Sequence, residues 1–211
     1  MSFVQKTPDV DPGRFNDPVA KQTEWGPLKR GGANFRTHKL VQADANRLEF
    51  QPTVMTRVFS LIFVLVGLFV LVPFAFDFEK FSSDFSENPI ILTVFIIPIV
   101  FPIVGLVFYF TMGKKRVFDR SYNLYYKGKV PIGPMDPSQI KDAVQLGEIH
   151  ALQIIPERVT SKNGSYRSYE LNLILKDGRR INVVDHGNRN KLLEDANTLA
   201  QFLGVPVWDA S

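Results

Sequence analysis

The chain has no cysteine. That excludes disulfides, thiolate metal sites and cysteine nucleophiles. Histidine is scarce too: His38, His150 and His186 are the whole set, and their spacing matches no metal-ligand pattern. Gly-x-Ser-x-Gly, His-Glu-x-x-His and a phosphate-binding glycine loop are all missing. The net charge of +4 is mild, and no basic face on a known nucleic-acid module accompanies it. These absences argue against a motif-borne reaction, a bound cofactor, a metal and a nucleic-acid partner.

Charge is absent from two long stretches, 58–76 and 89–112. All but four residues of the first are Leu, Ile, Phe or Val. Crossing a bilayer core takes about 20 apolar residues in a helix, and runs this apolar are expected to insert by several kcal/mol. The first run follows 57 mostly polar residues, which does not fit a cleaved leader. Two spans forming a membrane helical hairpin are therefore expected. Arg57 precedes the first run, and Lys114, Lys115, Arg116 and Arg120 follow the second, while the connector 77–89 carries four acids and one lysine. Positive residues stay on the cytoplasmic side, so both termini are expected there. Arg57, Lys114, Lys115 and Arg116 become candidate membrane-surface residues facing anionic headgroups. Pro73 lies in the first run and Pro98 and Pro102 in the second, each predicting a kink.

Residues 1–33 are broken by prolines and glycines and read as a disordered or loosely docked tail. Within it, Asp17 and Pro18 offer a short helix start, and Trp25 is either a surface anchor or an exposed aromatic. Residues 34–56 suggest a β-hairpin in segments 35–41 and 47–52, turned at QADAN. After the second run come RVFDR and LYYKGKV, then the irregular PIGPMDPSQ, where Asp136-Pro137 could start a helix to Gln145. HALQIIPERVT, YELNLILKD and INVV follow, separated by Asn-Gly and Asp-Gly turns, and predict an antiparallel meander.

The stretch VVDHGN places Asp185 beside His186. Neighbours on a strand face opposite ways, so Asp185 is poorly placed to orient His186 as a base. Leu192, Ala196, Leu199 and Leu203 then form a helical stripe between Asn188, a good N-cap, and Gly204, a good stop. The pair reads as a strand-to-helix corner, with Asp185 near the positive end of the helix dipole. A ligand or partner contact at Asp185 and His186 is the functional option that stays open, and catalysis with His150 is a third.

Two strands before the runs, five after them and a C-terminal helix predict a membrane α-helical hairpin plus an α+β domain. That domain would be an antiparallel barrel of about seven strands capped by the helix, assembled from 34–56 and 113–211. The phrases GGANFRTHKL, YELNLILKDGRRINVVDHG and LAQFLGVPVW resemble uncharacterised bacterial two-span membrane proteins with a pleckstrin-homology-like cytoplasmic domain, loosely over 31–211. The resemblance implies bacterial inner-membrane residence and no known reaction. Lipid-reading members of that wider fold have a basic first hairpin loop, whereas QADAN has no lysine or arginine, which argues against phosphoinositide binding. The expected function is a non-enzymatic, membrane-anchored interaction module whose partners are the lipid bilayer and a protein. The alternative is an accessory subunit of a larger membrane transport or envelope complex.

Overall fold

A computed structural model describes residues 10–76, 91–128, 143–161 and 164–211. In chain order its main elements are α1 (Pro18–Gln22), β1 (His38–Asp44), β2 (Arg47–Pro52), α2 (Val54–Phe76), α3 (Ile91–Met112), β3 (Arg116–Asp119), β4 (Leu124–Lys127), β5 (Val144–Gln145), β6 (Ile149–Ser161), β7 (Gly164–Leu175), β8 (Arg180–His186), α4 (Arg189–Leu203) and β9 (Val207–Asp209). They fall into two compact units: Met1–Gln51 with Lys115–Ser211, and Pro52–Lys114.

The first unit holds two sheets, ordered β1-β2-β3-β4-β5 and β8-β7-β6-β9. β2 and β3 pair antiparallel from Arg47↔Asp119 to Phe50↔Arg116, although 66 residues separate Phe50 from Arg116 in sequence. Between the sheets lies the main core. Leu48, Phe50, Phe118 and Tyr125 meet Leu152, Ile154, Leu171, Leu173 and Val183, and α4 adds Leu192, Ala196 and Leu199. Each fully buried leucine contributes about 1.5–3 kcal/mol. The Asn188 side chain accepts the Lys191 N–H at the start of α4, and Gly204 ends the helix at φ 71, a left-handed geometry that favours glycine.

The expected closed barrel of seven strands is not what forms. Among the described residues there are nine strands in two open sheets. β5 has two residues and β9 three, too short for any alternation to show in sequence, and β9 joins β6 in parallel. Closure needs a continuous hydrogen-bonded ladder. Among the described residues, the start of β1 and the end of β8 are joined by an isolated bridge, Arg36↔His186, and not by a ladder.

The β6–β7–β8 meander is present. The β6–β7 ladder runs out to Ser161↔Gly164, and the expected Asn-Gly turn includes Asn163, which is outside the described residues. Pro156 pairs with Tyr169 on one side, while on the other β9 covers only Leu152 to Ile154. The proline thus occupies an edge, where a missing N–H costs nothing. The helix start at Asp136-Pro137 falls outside the described residues, as does the connector 77–89. The helix expected to reach Gln145 does not, because Val144–Gln145 is a strand and a 3₁₀ turn follows at Leu146–Glu148.

The second unit is the helix pair. Phe108 stacks on Phe59, and Phe63 meets Phe101 and Phe108. Two glycines allow the close approach. A Cβ on Gly67 would collide with the Pro102 ring, and one on Gly105 would come within 2.9 Å of Ser60 O and Val64 N. Position 105 meets 60–64 while 102 meets 67, so the helices run antiparallel. Small residues at such contacts are the usual device of helices in lipid.

The expectation of two spans also needs correction. Among the described residues one helix, Val54–Val72, is long and apolar enough to cross a membrane, and only 17% of that window is buried. α3 carries the shorter apolar stretch Pro98–Met112. Part of the expected second run, 89–90, lies outside the described residues.

Candidate functional site

The tail expected to be loose is, from residue 10 to 33, a strap laid on the outer face of the second sheet. Asp17 caps α1 by accepting the Val19 N–H at 2.8 Å, and its other oxygen meets His150 Nε2 at 2.7 Å. Trp25 is only 8% exposed. It stacks on Phe15 at 4.9 Å, lies 6.0 Å from Trp208, and packs with Ala20, Ala151 and Ile174. Its indole N–H donates to Ala20 O.

Beyond Trp25 the covered sheet face turns polar. Gln153 and Glu157 on β6 share it with Ser168, Glu170 and Asn172 on β7 and Asn182 and Asp185 on β8. All except Asp185 are at most 5% exposed. The strap reaches this layer with backbone amides. Leu28 and Lys29 N–H groups donate to the Glu170 carboxylate at 2.9–3.0 Å. Gly31 and Gly32 N–H groups donate to the two oxygens of Glu157 at 2.9 and 3.0 Å. Gly31 sits at φ 77, and a Cβ on Gly32 would strike Ser168 Oγ, so both positions call for glycine. Arg180 donates to Gly26 O and Glu24, Thr23 to Gly178 O, and Tyr166 to Gly32 O.

Three buried atoms in this layer lack a partner: Gln153 Oε1, Asn172 Oδ1 and Ser168 Oγ. The two amide orientations are fixed by their other ends. Asn172 Nδ2 donates to Glu170 at 2.6 Å and Gln153 Nε2 to Glu24 O at 3.1 Å. What is left over is acceptor capacity on the two amides and the hydroxyl of Ser168, which can donate or accept.

Asp185 and His186 point to opposite sides of β8. The Asp185 carboxylate joins the polar layer, accepting from Asn182 at 3.3 Å. Burial and the neighbouring Glu170 charge push its pKa up to about 6. The helix-dipole stabilisation expected there is outweighed. His186 faces inward and is fully buried, with Nε2 3.1 Å from His38 O and Nδ1 3.1 Å from Asn188 O. Burial holds its pKa below the usual histidine value. The ring fastens β1 to the end of β8 where no ladder does.

His38 lies beside it in a second chain of bonds. A guanidinium only donates, so His38 Nε2 accepts from Arg116. The imidazole proton is then on Nδ1, directed to Thr37 Oγ1 at 3.0 Å, whose hydroxyl donates to Asp185 O at 2.6 Å. All three histidines therefore have ring partners that position strands or the strap. Among the described residues no group of three or more His, Asp or Glu is placed to hold a metal.

The four candidate membrane-surface cations separate. Arg57 and Lys114 are exposed. Lys115 pairs with the buried Glu49 at 2.8 Å. Desolvation opposes ionisation of Glu49, but hydrogen bonds from Lys115 and Gln51 and the charges of Lys115 and Arg47 outweigh it and hold its pKa low. Arg116 is turned inward, donating to Val183 O at 3.0 Å as well as to His38. These bonds make it a structural cation of the β unit.

Glu157, Glu170, Gln153 and Asn172 were not singled out by sequence. Their alternation with leucines reads as a solvated face. One signal was available: in the hairpin register Glu157 falls opposite Ser168 and Glu170 opposite Ile155. The residues directly opposite these two acids in the hairpin are uncharged, which points to donors from elsewhere in the chain. A scan against protein-family models finds no matching family, and searches of curated proteins and of solved structures find no matching relative.

Proposed function

We propose that the chain is a non-enzymatic interaction module held at a membrane by its apolar helices. The observation that carries this is the exposure of the helix pair. Leu65 is 63% exposed, Phe69 79%, Phe110 66% and Ile103 55%. So much apolar side-chain surface is stable in lipid and not in water. The pairing of β2 with β3 bears on topology. A polypeptide that leaves a sheet at Gln51 and re-enters beside it at Lys115 must cross any bilayer an even number of times. In this reading α2 enters the bilayer, and the two flanks that pair through β2 and β3 lie on one face of it. The exposed Arg57 and Lys114 favour the cytoplasmic face. The bacterial inner membrane is proposed on the sequence resemblance alone.

The absence of cysteine provides the test. Single cysteines are placed at the exposed Asp44 and Asn190, on either side of the helices in sequence, and probed with a membrane-impermeant maleimide. Both are expected to react from the same side in a carbonate-resistant membrane fraction. Opposite reactivity, or release of the protein by carbonate, would overturn the proposal.

The alternative role as an accessory subunit has one feature in its favour. A shallow hollow of about 500 Å³ on α2 is lined by Leu65, Val66, Leu68, Phe69 and Val72, a shape that a partner helix could fill. Native mass in mild detergent separates the readings, since a lone monomer excludes a stable subunit.

A further inference from the structure

We infer that the outer face of the second sheet, beneath the strap, is a peptide-docking surface that the chain's own residues 17–33 occupy, and that its partner is an extended, donor-rich peptide with an aromatic anchor and a glycine. The inference rests on the interaction-module reading and names the surface that such a module would use. Three observations point the same way. The strap contributes no strand to either sheet, so removing it leaves both ladders whole. It holds Glu157 and Glu170 through main-chain N–H groups of residues 28, 29, 31 and 32, a grip that any peptide of suitable backbone can reproduce. It also leaves Gln153 Oε1, Asn172 Oδ1 and Ser168 Oγ buried without partners. These atoms keep hydrogen-bonding capacity that no atom of the strap takes up.

The unmet chemistry defines the partner. Gln153 Oε1 and Asn172 Oδ1 can only accept, and the carboxylates of Glu157, Glu170 and Asp185 lie on the same face. A ligand that improves on the strap brings hydrogen-bond donors, and lysine or arginine supplies them with matching charge. The Trp25 seat, formed with Phe15, Trp208, Ala151 and Ile174, takes an aromatic ring. Close passage over Ser168 requires glycine at the position Gly32 now fills.

The experiment uses the full chain in lipid nanodiscs and a fluorescein-labelled synthetic peptide of residues 17–33 as the probe. Gly32→Val in the chain drives a side chain into Ser168 and weakens the resident strap. The probe is expected to bind this variant at least tenfold more tightly than the wild-type chain. Adding Glu157→Gln and Glu170→Gln to the chain, or Trp25→Ala to the probe, is expected to cut that binding at least tenfold. Trp25 and Trp208 are the only tryptophans, so a red-shifted emission reports strap release directly. A released strap with no probe binding overturns the inference, as does binding indifferent to the two glutamates. If Gly32→Val does not fold, Trp25→Ala in the chain serves the same purpose. In the wild-type chain, excess probe is expected to raise protease cleavage within 17–33, and unchanged cleavage counts against the proposal. A dimer that the probe dissolves would assign the seat to a second copy's strap and overturn the separate partner. If the probe fails while same-side labelling and carbonate resistance hold, only the docking face falls.

Discussion

At the scale of single residues, Asp185 and His186 set opposing pH dependences from adjacent positions. The Asp185 pKa is raised from 3.8 to about 6 by burial and Glu170. Between those values the folded state keeps a proton that the unfolded chain has lost, so stability falls as pH rises through the window, and the full penalty applies above it. About two pKa units at 1.36 kcal/mol each bound the effect, and its partial exposure reduces this to about 1–3 kcal/mol. His186 works the other way. Burial lowers its pKa below 6.5, so its neutral form supports the fold above 6.5 and that support is lost as pH falls toward the depressed folded value. Asp185→Asn keeps an acceptor for Asn182 and removes one side of this balance. Urea unfolding followed by tryptophan emission should show the variant more stable than wild type at pH 8, by about 1–3 kcal/mol, with the gap closing toward pH 4. An equal gap at both pH values would show that the carboxylate is not penalised. The sequence places both residues at a strand-to-helix corner and separates their faces by strand geometry. It does not show the burial, because the cover over Asp185 comes from residues about 155 positions earlier.

At the scale of elements, the helix pair depends on two glycines that form no motif along either helix. Gly67 faces the Pro102 ring, and Gly105 faces Ser60 and Val64. Gly67→Ala and Gly105→Ala are each expected to destabilise the pair by about 1–3 kcal/mol through overpacking. Phe69→Ala, on a side chain 79% exposed, should leave it unchanged. Thermal loss of helical circular dichroism in mild detergent reads the difference, and equal melting of all three variants would remove the glycines from the interface. The apolar runs, α1 and α4 with their caps, and the meander were legible because each carries a local signal of period, cap or turn. β5 and β9 were not, since two or three residues cannot display a period and their pairing is decided by strands far away in sequence. The polar layer was not legible for a related reason. The alternation Glu170-Leu171-Asn172-Leu173 correctly divides the two faces of β7, but not which face meets water. Both faces are covered, one by the first sheet and the other by the strap. The Gly31-Gly32 pair, which reads as loop punctuation, is where the strap passes closest to Ser168.

At the scale of the molecule, the folding of the β unit can be separated from the apolar helices. The β2–β3 register, Arg47↔Asp119 through Phe50↔Arg116, extrapolates to residue 52 opposite 114, the position where a two-residue hairpin loop would close. Replacing residues 53–113 by Asn-Gly supplies a turn whose twist suits an antiparallel pair. Nothing in the sheet core is removed, because Leu48, Phe50, Phe118 and Tyr125 all lie outside the excised segment. The wild-type chain closes a long loop to form this pairing, whereas the excised chain forms it locally, and shorter closure costs less conformational entropy. The excised protein is therefore expected to be water-soluble, to stay in the supernatant after membrane fractionation, and to keep the blue-shifted emission of buried Trp25 and Trp208. Its urea midpoint should equal or exceed that of the Trp-reported transition in the full chain. Aggregation, or emission typical of exposed indole, would mean that Pro52–Lys114 supplies contacts the β unit cannot fold without. The helices would then be a structural part of that unit and not its anchor.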